Sequence, residues 1–449
     1  VDDDDDDCDG KSVGSADTDS DLDDSGSDST VYRDAGEICL LAWEQGQPPT
    51  AEGMDAYGYS FEDLSEEDQR ESRLKAIGDY NEHNAWEEGG LTNEAMRALQ
   101  KRDKNVVALR SKWVDKAKCI DGIIAGKSRL TPKGYEDHLR NSDDNQAPTI
   151  DGMTLRALEI MGLREGWVGY SMDFSQAFFQ TSKLLTRPIY VEIPDEFVVD
   201  GIKWKKLTKA VPGTNQAPRA WYDSISVWLL GEGFIKSRLD PALFYYPASP
   251  DSESDCLWSG YVPLHVDDAK GRGTAEFLEW FRGRVDKNFG GDWKIGEFSI
   301  LENEKPTDFC GKQNMDVTGA DGKTVGMRIN QTKYVEKKLV HTDVHLAGDE
   351  LLSSFRTSLG TSMWATVNSQ FQEAYSVALG AQKTSKLTLD DAVQMNKAIT
   401  RIKDDPLTMH IPVLEKRFPI KIVGICDAGM SDQSTWEGGQ EGRIVGLGE

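Results

Sequence analysis

Apolar and polar residues alternate along Tyr261-Val262-Pro263-Leu264-His265-Val266, and that period of two predicts a half-buried strand. Asp267 and Asp268 end it, and Gly271 and Gly273 follow, where a reversal is easy. A second alternating stretch, Val168 to Phe174, delivers Asp173 into a helix-like run from Ser175 to Gln180. Helical spacing governs most of the rest. Leu74, Ile77 and Tyr80 mark a charged helix within Leu64 to Gln100, with Gly89-Gly90 as its stop. Leu155, Leu158 and Met161 are expected to face inward from a helix over Thr154 to Gly166. Trp221, Ile225, Trp228 and Leu229 form the stripe of a helix that opens near Pro218, and Phe277, Phe281, Val285 and Phe289 that of another. Phe355 to Leu379 and Asp390 to Ile402 are expected to be helical. A hairpin lies between the Leu64 to Gln100 segment and the helix from Thr154: Val106 to Lys118 outward, Asp121-Gly122 turning, Ile123 to Leu130 returning.

Composition changes this picture at the N-terminus. The chain has 449 residues, enough for two or more domains, and a formal charge of −26. Its first 30 residues hold thirteen Asp and one Lys. Residues 1–35, rich in Asp, Ser and Gly, are expected to be a disordered acidic linker, with an acidic interaction tail as the rival reading. The remainder is still acidic, which argues against strong autonomous binding to nucleic acid. The hairpin is the most basic segment, through Lys112, Lys116, Lys118, Lys127, Arg129 and Lys133, and Lys203, Lys205, Lys206 and Lys209 make a second basic stretch. The six cysteines show no C-x-x-C spacing, so neither zinc nor a disulfide framework is expected, and a reducing compartment fits. No apolar run approaches the roughly 18 residues of a membrane span, and no signal peptide opens the chain, so an intracellular protein, not a secreted one, is expected. His341 and His345 have i,i+4 spacing but lack the glutamate of H-E-x-x-H, and read as structural.

The chemistry rests on carboxylates. Asp267-Asp268 alone would be a polar turn. Asp173, brought by a second apolar strand, makes a third oxygen ligand of the kind that hard divalent cations take, and a set suited to two-metal phosphoryl transfer.

Five segments in order carry a resemblance: "MDFSQAFF", "PIYVEIPDEF", "NQAPRAWYD", "GFIKSRLDPALF" and "HVDD". Together with "SKWVDKAK" and "SRLTPKGYED" upstream, they resemble the reverse transcriptase of copia-type retrotransposon Pol polyproteins from about Val107 to Leu339. The resemblance implies an α+β fold, a right-hand polymerase with fingers, palm and thumb, an antiparallel palm sheet, a helical connection and a truncated ribonuclease H-like C-terminus. The expected bounds are a helical lead-in at 36–105, fingers and palm at 106–339, thumb and connection at 340–418, and a partial ribonuclease H-like segment at 419–449. Implied with it are an RNA-directed DNA polymerase that adds deoxyribonucleoside triphosphates to a primer on an RNA or DNA template, and Mg2+, with Mn2+ as a substitute, at Asp173, Asp267 and Asp268. Further implied are triphosphate contacts at Arg129 and Lys118, a substrate contact at Gln216, and other parts of a Pol polyprotein as partners. Phe178 is either a ring that excludes ribonucleotides or palm core. Asp427, in "PIKIVGICDAGMSD", matches the first metal carboxylate of a ribonuclease H; alone it would give no such activity. A retroelement particle, the cytoplasm or the nucleus would be its compartment.

The chain departs from the family in Pro263, in Thr214-Asn215, in Pro132 and in Ala269-Lys270-Gly271-Arg272, where the family carries apolar residues. Such material is expected to make a poor return strand. The alternative function is therefore a decayed, inactive remnant that at most binds nucleic acid weakly.

Overall fold

The computed structural model describes residues 60–120, 123–140, 145–181, 185–250, 256–289, 297–417, 421–430 and 439–448. The expected acidic linker at 1–35 and the Asp121-Gly122 turn lie outside them. Two compact units separate: one reaches to Gln69 and includes Lys116–Lys127, the other holds Arg70–Asp115 and everything from Ser128 on. In the first, Ser60 and Asp63 cap the 3-10 turn Phe61–Asp63, with the Ser60 N–H donating to Asp63 Oδ2 at 2.7 Å.

The chain begins with α1 (Glu66–Glu82) and α2 (Asn93–Arg102), then β1 (Val107–Leu109), β2 (Ser111–Ile120) and β3 (Ile123–Pro132). The outward hairpin strand expected from Val106 is thus two strands, broken at Arg110. The Arg110 guanidinium is tied to Glu136 at 2.9 and 2.5 Å, and β1 pairs with a different sheet. Of the expected α1 stripe, Tyr80 is buried and donates to the Leu130 carbonyl at 2.9 Å, whereas Leu74 is exposed.

Next come α3 (Gly152–Glu165), β4 (Val168–Asp173), β5 (Ile189–Glu192), β6 (Trp204–Lys206) and α4 (Ala217–Gly231). Asp151 caps α3 by accepting from the N–H groups of Met153 and Thr154, both at 2.9 Å, and Gly166 ends it at φ +71°. Its buried face is Leu155, Glu159, Gly162 and Leu163; Met161 is exposed, contrary to the apolar spacing. The run after Asp173 is only a 3-10 turn, Ala177–Gln180, entered through Gln176 at φ +53°.

The central elements are β7 (Ile235–Lys236), β8 (Leu243–Pro247), β9 (Trp258–His265), β10 (Asp268–Gly273), α5 (Ala275–Phe289) and β11 (Glu297–Ile300). Six strands form an antiparallel sheet in the order β11-β4-β10-β9-β8-β7. One core cluster joins it to α4 and α5 through Tyr170, Val262, Ile225, Leu229, Phe281 and Val285. β10 is thus a return strand despite its charges: it pairs along its whole length with β4, while its ladder with β9 lapses at Lys270-Gly271-Arg272, opposite Pro263. Pro263 also sits inside the sheet, buried opposite Leu243 of β8.

The chain closes with β12 (Thr307–Phe309), β13 (Lys312–Thr318), β14 (Thr324–Asn330), α6 (Thr332–Lys338), α7 (Gly348–Asn368), α8 (Ala374–Gln382), α9 (Leu389–Asp404), β15 (Thr408–Pro412), β16 (Lys421–Met430) and β17 (Gly439–Gly448). β12 to β15 make a four-stranded antiparallel sheet, and α6 to α9 pack around Phe355, Met395 and Ile399. The helix expected over Phe355 to Leu379 is interrupted by the 3-10 turn Phe371–Glu373. No described helix is long and apolar enough to cross a membrane. The molecule is α+β, as expected.

Candidate active site

Asp173 closes β4 and Asp268 opens β10, and the two stand opposite each other in the ladder. Asp268 also faces His265 of β9 across the two-residue turn Val266-Asp267. That turn holds Val266 at φ +58°, a left-handed conformation in which a β-branched residue is an outlier, at a cost of about 1–3 kcal/mol. Neighbouring groups fix it: the Trp221 indole N–H donates to the Val266 carbonyl at 2.8 Å, and the Phe174 N–H to the Asp267 carbonyl at 2.9 Å. The second bond joins the residue after Asp173 to the residue before Asp268, so both acidic strand ends are locked together.

The charges there are alike. Burial, then Asp267, then Asp173 push the Asp268 carboxyl up from 3.8 to about 6. Burial likewise lowers the pKa of His265 and pushes the Cys310 thiol, in the β12–β13 turn, up to about 12. A cleft of about 670 Å3 opens on Asp173 and Asp268, with Arg282, Ser299, Lys305 and Asp308 on its other walls. The donors suit magnesium: hard carboxylate oxygens whose mutual repulsion a cation relieves. Among the described residues no three acidic, histidine or cysteine side chains already stand as a ready-made metal cluster, so binding requires the carboxylates to turn toward the ion.

The other predicted residues are dispersed. Arg129 is exposed on β3 with no ion pair among the described residues, and Lys118 is exposed on β2 in the other compact unit. Phe178 is half-buried, packed against the main core and the Ala210, Ala217 and Ala220 cluster. Gln216 is buried at the head of α4, where its amide donates to Thr186 Oγ1 at 2.9 Å. Asp427 lies on β16, opposite Gly442 of β17. In the second basic stretch Lys203 pairs with Asp195 and Glu192, Lys206 with Glu87, and Lys205 lies over the Trp86 ring.

One group of residues escaped the sequence reading. Lys270 and Arg272 of β10 are buried with Glu159 of α3 and Asp316 of β13. Lys270 Nζ donates to Glu159 Oε1, Arg272 Nε to Glu159 Oε2 at 2.5 Å, and the Arg272 Nη atoms to Asp316 at 2.9 and 2.5 Å. Burial opposes ionisation of Glu159, but the two cations overcome it and hold the carboxyl at about 2. The signal was present: Asp268, Lys270 and Arg272 alternate with Ala269, Gly271 and Gly273, the same period of two that marks β9.

Residues 94–270 match the family model described as "Reverse transcriptase (RNA-dependent DNA polymerase)". This stretch, which resembles a reverse transcriptase, contains Asp173, Asp267 and Asp268. Its relatives are transposon Pol polyproteins, as the motifs implied. The chain is 27% identical over 244 residues to the retrovirus-related Pol polyprotein from transposon TNT 1-94 of Nicotiana tabacum, covering 50% of this chain and 17% of that protein. Over 293 residues it is 23% identical to the one from transposon RE1 of Arabidopsis thaliana, covering 65% and 18%. The matched stretches thus span less than a fifth of those relatives. A solved structure, "foamy viral protease-reverse transcriptase dRH in complex with ds DNA", aligns over 85% of this chain and 63% of its own, at 11% identity and a TM-score of 0.36, too loose a likeness to carry an argument.

Proposed function

We propose that this chain is an RNA-directed DNA polymerase of a copia-type element, which joins deoxyribonucleoside triphosphates to a primer 3′-hydroxyl on an RNA or DNA template. The observation that carries this is the meeting of Asp173, Asp267 and Asp268 at one sheet edge, inside the family-matched stretch. In this reading the six-stranded sheet with α4 and α5 is the palm and the β2–β3 hairpin the fingers. The segment from α6 to α9 is then the thumb and connection, and β16–β17 the start of a ribonuclease H-like part. The rest of a Pol polyprotein would be its partner.

Asp173, Asp267 and Asp268 would hold Mg2+ or Mn2+. Bound there, the metal supplies acidification of the primer hydroxyl and neutralisation of the leaving pyrophosphate. The protein's own part is positioning and charge. The bond from Phe174 to the Asp267 carbonyl keeps both strand ends in place. Asp268 must be ionised to take a cation, so binding weakens as pH falls through about 6. Arg129, exposed and uncommitted, is the clamp for the triphosphate, with Lys118 as a second contact. Phe178 would be the ring that excludes a 2′-hydroxyl, and Gln216 would act through the loop it ties at Thr186.

The test is primer extension on an RNA template with magnesium. The wild-type chain should extend the primer. Asp267→Asn should retain less than about a tenth of that rate, a loss above ~1.4 kcal/mol. No extension by the wild type would favour the inactive remnant. Extension that survives in Asp267→Asn would remove the carboxylates from the reaction.

A further inference from the structure

Asp268, Lys270 and Arg272 share one face of β10. Same-face neighbours on a strand are about 7 Å apart, two rises of roughly 3.4 Å. A lysine's four-carbon stem nearly spans that gap, so an uncommitted Lys270 ammonium would settle on the Asp268 carboxylate. It points elsewhere. Its Nζ is held by Glu159 Oε1, and the other oxygen of Glu159 takes Arg272 Nε. Arg272 is in turn forked onto Asp316. Lys270 and Arg272 are each 1% exposed and Glu159 2%. Gly162, one turn along α3 from Glu159, permits this approach, since a Cβ there would stand 2.7 Å from Arg272 Cδ.

We propose that Glu159 is a positioning residue of the acidic strand ends: it holds Lys270 away from Asp268 and so keeps the Asp268 carboxylate open to a divalent cation. The inference rests on reading those ends as a cation site. Without the Glu159 charge, Lys270 has Asp268 as the next carboxylate along its own face, and the resulting internal ion pair competes with the metal. The environment of Asp268 agrees, because burial and the like charges of Asp267 and Asp173 act on it. A network that merely fastened α3 to β10 would affect folding but leave metal affinity in the folded protein unchanged.

The experiment titrates Mn2+ directly, by calorimetry or by the spin resonance of the free ion, into wild type, Asp268→Asn, Glu159→Gln and the double variant Glu159→Gln/Lys270→Met. Thermal melts check that each is folded. Glu159→Gln should weaken Mn2+ binding by about ten-fold or more, the scale of groups acting behind metal ligands. Adding Lys270→Met, which supplies no ligand, should restore it. Should Glu159→Gln not fold, Glu159→Asp keeps the charge and shortens the reach, and the same weakening and rescue are expected. Wild-type affinity in the folded Glu159 variant, or no rescue by Lys270→Met, overturns the proposal. Failure of the wild type to bind Mn2+ through Asp268 overturns the cation reading, and this inference with it; a site lost in Asp268→Asn but untouched by the Glu159 variants overturns this inference alone.

Discussion

The two ends of β10 handle charge in opposite ways. At its start Asp268 sits half-buried beside the like charges of Asp173 and Asp267, and its carboxyl is pushed up to about 6. Two and four residues on, Lys270 and Arg272 are buried completely, yet each is matched by a carboxylate, and Glu159 is held down to about 2. A fold that merely tolerated charge would show one pattern. Here the repulsive arrangement is left where a ligand can relieve it, and the neutral one closes the interior. Burying ions is expensive, and only full pairing offsets it.

Breaking the paired end should have the largest effect on stability. Glu159→Leu leaves Lys270 without a partner and Arg272 half-paired in the core, which should lower the unfolding free energy by about 3–5 kcal/mol. Urea melts read this directly. A loss below about 1 kcal/mol would mean that water reaches the network and that its burial is only nominal.

The acidic end should respond less, and with the opposite sign. Asp268 has a higher pKa folded than unfolded, so its protonation favours the folded state; that stabilisation is full below the unfolded value of 3.8 and is lost as pH rises through about 6. Asp268→Asn removes the repulsion permanently. The variant should therefore melt above wild type at pH 7, by about 1–3 °C after solvent screening, and match it near pH 3. Mn2+ should reverse the order at pH 7 by stabilising only the wild type. Equal melting at both pH values without metal would show that the three carboxylates do not repel one another. Glu159 has the reverse linkage: its pKa is depressed, so its contribution is present above the unfolded value of 4.5 and is lost as pH falls through about 2.

Much of this arrangement was legible in the residues. Alternation gave β4 with Asp173 at its end and β9 with the acidic pair just beyond it, and helical spacing gave α4 and α5, because a single buried face imposes one period on each element. The charged return strand was misread because a sequence shows Lys270 and Arg272 without Glu159 or Asp316, which lie more than forty residues away in each direction. Pairing across such distances is set by tertiary packing, not by local pattern. Thr214-Asn215 is a smaller case. It departs from the family motif, yet Thr214 Oγ1 donates to the Val211 carbonyl at 2.9 Å and Asn215 Nδ2 to that of Gly134 at 2.7 Å, fastening the head of α4 to the chain just past β3. Met161 and Leu74 fit their stripes and are exposed, since a stripe wider than its partner surface leaves its margin in water.

The smallest effect should come from Val266, where the acidic end stores backbone strain in addition to repulsion. Its φ of +58° brings Cβ against the neighbouring carbonyl, a penalty of roughly 1–2 kcal/mol that glycine escapes. Glycine also loses more chain entropy on folding, by about 0.5–1 kcal/mol, and gives up a half-buried isopropyl group. The gain from Val266→Gly should accordingly be no more than about 1 kcal/mol, within reach of a careful denaturant midpoint. Val266→Ala is the control that isolates the backbone, because it keeps Cβ and the strain while shedding the same methyl groups. Glycine should exceed alanine in stability, and asparagine, which tolerates left-handed φ, should fall between them. If alanine equals or exceeds glycine, the turn is relaxed at Val266, and the acidic end differs from the paired end in its charges alone.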